Sequence, residues 1–133
     1  MSDRVAIVGI DHVQLLMPTG GEPAARQFYW ELLGLREVAK PDELAQRPGC
    51  WFVGIGGTAV HLAVDQRFIA AHKAHPGFIV ADLAAAKEAL VAGGARVVDD
   101  DAGLPVKRCY TEDPFGNRIE LIDAIDAGFT DRR

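Results

Sequence analysis

The same order of elements is written twice along this chain, and that repeat limits the fold more than any single motif does. From about residue 5 to 64, and again from about 75 to 123, apolar runs and chain breakers spell strand, helix, strand, strand, strand. Each half opens and closes on a polar side chain set in an apolar run: His12 and His61 in the first, His75 and Glu120 in the second. A carboxylate in the middle of a strand such as Arg118-Ile119-Glu120-Leu121-Ile122 is costly to bury unless something positive holds it. The three histidines are the candidates for that role. Any one of these four residues alone would pass as a core or edge residue; matching ends of a repeat are harder to obtain from packing.

In the first half, Val5 to Met17 reads as a strand whose alternation from His12 onward puts His12, Gln14 and Leu16 on one face. Pro18-Thr19-Gly20-Gly21 breaks it, and Glu22 to Leu33 carries the helical stripe Ala24, Ala25, Phe28, Tyr29, Leu32, Leu33, closed by Gly34. A short strand 35–39 and a polar loop 40–49 lead to a hairpin, Cys50 to Ile55 and Thr58 to Val64, about Gly56-Gly57. Residues 65–74 are the connector. The second half gives a strand after His75, then a helix Leu83 to Ala92 capped by Asp82, with the stripe Leu83, Ala86, Leu90, Val91. A strand 95–98 and an acidic loop 99–105 precede a final hairpin, Val106 to Glu112 and Arg118 to Ile122, turned by Asp113-Pro114-Phe115-Gly116-Asn117. If that turn is symmetric about Phe115, Tyr110 stands opposite Glu120 on the same face. The polar tail from Asp123 is expected to pack loosely.

With 133 residues, 49% of them apolar, the chain reads as one soluble globular α+β domain. A net charge of -5 argues against nucleic acid or an anionic membrane as partner. Neither a signal peptide nor a run of membrane-spanning length is evident, which points to the cytoplasm. Cys50 and Cys109 have no zinc-finger spacing and read as buried thiols.

The strings IDHVQL, FYWELLGL, HPGFIVADL and DPFGNRIEL resemble the vicinal oxygen chelate superfamily, which includes glyoxalase I, bleomycin-resistance and fosfomycin-resistance proteins and extradiol dioxygenases. The resemblance runs from Val8 to Ile122 and implies two βαβββ modules forming a half-open, barrel-like cleft, commonly in a homodimer. It places His12, His61, His75 and Glu120 on the family's metal-ligand positions. Such a set suits a divalent zinc, nickel, iron, manganese or cobalt ion better than calcium or magnesium. The implied activity is that of a lyase or isomerase acting on a small substrate with vicinal oxygens through a metal-stabilised enediolate, with Glu120 or an unbound histidine as base. Rival readings are a ring-cleaving dioxygenase, a resistance transferase, or a binding module that sequesters a small molecule. Glyoxalase I carries a carboxylate where this chain has His61, so the subfamily stays open. Tyr110 is a further candidate for catalysis or substrate binding, and Gln14, Leu16, Trp51 and Phe52 are candidates for the substrate-facing wall; His72 reads as solvated.

Overall fold

A computed structural model describes residues 4–100, 103 and 106–128. Its strands are β1 (Val13–Met17), β2 (Arg36–Val38), β3 (Gly49–Val53), β4 (Ala59–Val64), β5 (Gly77–Val80), β6 (Val97–Asp99), β7 (Arg108–Glu112) and β8 (Arg118–Asp123). They form two four-stranded sheets, ordered β1-β4-β3-β2 and β5-β8-β7-β6. In each sheet the first strand of the half lies parallel to the last, and the other pairs are antiparallel. The sheets do not close into a barrel, so each keeps one open face.

The expected first helix begins as α1 (Glu22–Ala25), with Pro23 in its first turn, then widens into a π-helical stretch, Arg26–Leu32. Leu33 N–H bonds back to Phe28 O at 2.9 Å. The wider turn lets two adjacent aromatics, Phe28 and Tyr29, both point inward, where they meet edge to face at 5.0 Å. The second helix, α2 (Leu83–Ala92), has the predicted ends, and Asp82 accepts the Ala85 N–H at 3.1 Å. Val91, expected on its buried stripe, is instead 62% exposed, because Leu83 and Leu90 face the sheet.

Two expectations change at the first half's edges. The strand predicted from Val5 starts only at Val13, because its partner β4 begins at Ala59, close after the Ile55–Gly57 turn. Val5, Ile7, Val8 and Ile10 are therefore unpaired and mostly exposed. The Gly56-Gly57 turn is also wider than a two-residue turn: Gly54 N–H bonds Thr58 O at 2.8 Å, and both glycines take positive φ.

The core lies between the inner sheet faces and the helices, and includes Met17, Tyr29, Phe52, Val60, Leu62, Leu90, Ile119 and Leu121. The Asp113-to-Asn117 turn ties the two halves together through it. Tyr29 OH donates to Asp113 Oδ2 at 2.6 Å, and Asn117 Nδ2 donates both to that oxygen and to Leu16 O, each at 2.8 Å. Asp113 Oδ1 accepts the N–H groups of Phe115 and Asn117. Both residues are buried, so this turn is a structural clamp across the halves. Of the loop 99–105, residues 101, 102, 104 and 105 lie outside the described residues, as do 129–133 of the tail. The tail's start is held more firmly than expected: Asp123 accepts the N–H groups of Leu83, Ile125 and Asp126.

Candidate functional site

Pleat alternation sends Val13, Leu15, Phe52, Val60 and Leu62 inward from the first sheet, and Gln14, Leu16, Trp51 and His61 to its open face. Register places Gln14, His61 and Trp51 in one row. The Trp51 and His61 rings stack at 3.8 Å with an interplanar angle of 2°, and His12 covers the other side of His61 at 4.0 Å. His61 is buried and makes no hydrogen bond among the described residues. Burial, and then the neighbouring His12, lower its pKa below the ordinary imidazole value, so it stays neutral at pH 7. His12 Nδ1 donates to Asp11 Oδ2 at 2.8 Å. Phe52, proposed as a wall, is fully buried on the opposite face against Tyr29 at 5.6 Å; its neighbour Trp51 lies on the open face instead.

The second sheet repeats the geometry with different chemistry. Tyr110 stands opposite Glu120, as the symmetric turn predicts. Glu120 is buried, and each of its oxygens is held: His75 Nε2 lies 2.9 Å from Oε1, and Arg108 Nη1 donates to Oε2 at 2.8 Å. The positive partner required by the buried acid is thus Arg108, with the His75 ring against its other oxygen. Arg108 went unnoticed in the sequence although the hairpin register places it diagonal to Glu120. Tyr110 does not bond the carboxylate; it meets the His75 ring edge-on at 5.4 Å and lies under the Arg118 guanidinium at 3.9 Å.

The four ligand candidates therefore come as two pairs, His12 with His61 and His75 with Glu120, one on each open face. Among the described residues no three His, Cys, Asp or Glu side chains are grouped closely enough to hold one ion. Imidazole nitrogens and a carboxylate are nevertheless donor types that transition metals take. His75 Nδ1 lies 2.6 Å from Lys73 O, which can only accept, so this nitrogen carries a proton. In the neutral ring Nε2 is then a lone pair facing a carboxylate oxygen at 2.9 Å, an arrangement relieved by a cation between them or by a second proton on the ring. Asp11 sets the same tautomer on His12.

The glyoxalase-like domain family model matches residues 16–122, and the chain belongs to that family, within the vicinal oxygen chelate superfamily. A glyoxalase family protein of Bacillus anthracis is similar over 90% of this chain and 98% of its own, at 47% identity and a TM-score of 0.84. A glyoxalase/dioxygenase of Nostoc punctiforme (19% identity, TM-score 0.72, covering 92% and 98%) shares the fold. So does the fosfomycin resistance protein FosX of Listeria monocytogenes (16%, 0.69, covering 89% and 94%). No curated protein matches the chain. No helix among the described residues is long and apolar enough to cross a membrane.

Proposed function

We propose that this chain is a metal-dependent lyase or isomerase that moves a proton beside a carbonyl of a small, oxygen-bearing substrate, with His12, His61, His75 and Glu120 holding a divalent transition metal. The observation that carries this reading is the 2.9 Å contact between His75 Nε2 and Glu120 Oε1, which brings an imidazole nitrogen and a carboxylate oxygen together on one open face while Lys73 O accepts from Nδ1. Because the donors lie as two pairs on two open faces, the reading includes a homodimer in which the first half of one copy faces the second half of the other. Leu16, Ile79 and Val98, exposed on those faces, support a covered cleft.

A bound ion would supply Lewis acidity to substrate oxygens. The chain's own residues supply the rest. Arg108 fixes Oε2, so Glu120 presents Oε1 to His75. Glu120, or a histidine not bound to the ion, would take the substrate proton. Trp51 walls one side, and the Gln14 amide stands beside His61 to orient an oxygen.

Calorimetric titration of metal-free protein with nickel and zinc tests the reading. Wild type should bind saturably, and His12→Ala or Glu120→Ala should bind about tenfold or more weakly. Failure of the wild type to bind either ion would move the protein to the second reading, a metal-free binding module, which the Arg108 hold on Glu120 favours.

A further inference from the structure

Resting on that reading of the open face as the substrate cleft, we infer that Arg118, with Arg96 and His72, forms a subsite for a small oxyanion, so that the substrate carries a carboxylate or a phosphate beyond its reacting oxygens. Arg118 is half-buried, yet among the described residues neither it nor Arg96 pairs with a carboxylate. A half-buried guanidinium without a counter-ion is poorly solvated and gains from an anionic ligand. Its Cζ lies over the Tyr110 ring at 3.9 Å, a contact that restricts the group while a ring face takes none of its N–H donors away from an acceptor.

Arg118 stands on the wall between two hollows. One, of about 260 Å³, is lined by His72, Arg96, Val98, Tyr110, Thr111 and Glu112 as well as Arg118. The other, of about 380 Å³, contains Gln14 and His75. An anion seated in the first is thus one arginine away from the proposed reacting centre. Glu112 is the opposing charge in this hollow, against two guanidinium groups and an imidazole. Nor does the fold demand the arginine: the corresponding position of the first hairpin is Ala59, paired with Val53 as Arg118 is with Glu112.

The test uses full-length protein without added metal, titrated separately with inorganic phosphate and with acetate, following arginine side-chain N–H resonances. A saturable shift at Arg118 is expected with at least one anion, and the arm with the tighter binding names phosphate or carboxylate as the group. Arg118→Gln and Arg96→Gln should each weaken binding by about tenfold, the loss of one charge-assisted hydrogen bond, and Arg118→Lys should recover part of it. No saturable shift at Arg118 with either anion, or unchanged affinity in Arg118→Gln, overturns the subsite. Nickel titration of the same samples separates this from the metal reading: intact anion binding without nickel binding supports the subsite and removes the metal alone.

Discussion

The hairpins β3–β4 and β7–β8 correspond residue for residue at a constant offset along the chain, and they agree at most positions of one face and part on the other. Inward, Cys50 and Cys109, Val60 and Ile119, and Leu62 and Leu121 take matching places, all buried. Burial pushes the Cys50 thiol up to about 11 and raises Cys109 as well, so both stay protonated. Outward, Trp51, His61, Gly49 and Ala59 of the first hairpin face Tyr110, Glu120, Arg108 and Arg118 of the second in the alignment. One face is neutral and aromatic, the other ionic. Packing keeps these three inner pairs apolar, while Thr111 in the place of Phe52 turns its hydroxyl to Arg96 O at 2.7 Å; the open face is freer still to specialise. A cleft built from one of each would combine a stacking wall with a charged wall.

The turns differ in the same way, and the largest predicted effect lies there. Asp113 fills the place of Gly54, and its carboxylate is the hub of the clamp. Asp113→Ala should cost about 3 kcal/mol in urea unfolding by stranding the Tyr29 hydroxyl and the Asn117 amide, whereas Thr58→Ala, at the place of Asn117, should stay within about 0.5 kcal/mol. Equal losses would mean that the second turn is no more a clamp than the first.

Next in size is the ionic wall. Arg108→Gln leaves Glu120 Oε2 buried beside a weaker partner and should cost about 1–3 kcal/mol, read by the same unfolding curve. The smallest effect belongs to the strand ends, where Asp123 occupies the place of Val64. Backbone N–H groups, Leu83 first, lower its pKa below the ordinary 3.8. Its stabilisation is therefore present above that value and is lost as pH falls through the lower, folded value. Asp123→Asn should flatten the acid limb of stability against pH in that range; an unchanged limb would show that the tie is inert.

Much of this was legible beforehand because strand alternation and turn chemistry are local: the helix Leu83–Ala92 with its Asp82 cap, the Tyr110–Glu120 register and the faces of His12 and His61 all follow from short-range rules. What escaped was set by tertiary pairing. Residues 5–12 have strand composition but no partner strand among the described residues, and the turn of wide helix at Arg26–Leu32 answers to two aromatics that must both be buried. Phe52 and Trp51 are adjacent, and choosing between them required the register of a hairpin whose turn proved wider than its glycine pair suggested. Arg108 was within reach of the register already predicted.

Whether the two unlike faces meet across a pair of copies can be measured by complementation. Chains carrying His12→Ala and chains carrying Glu120→Ala are unfolded, mixed, refolded together and titrated with nickel beside each variant alone. If the faces meet between copies, mixed dimers regain one complete set of four donors and bind with wild-type affinity at a fraction of the sites, although neither variant alone does. Binding by the mixture that is only the average of the two variants contradicts a site shared in this way.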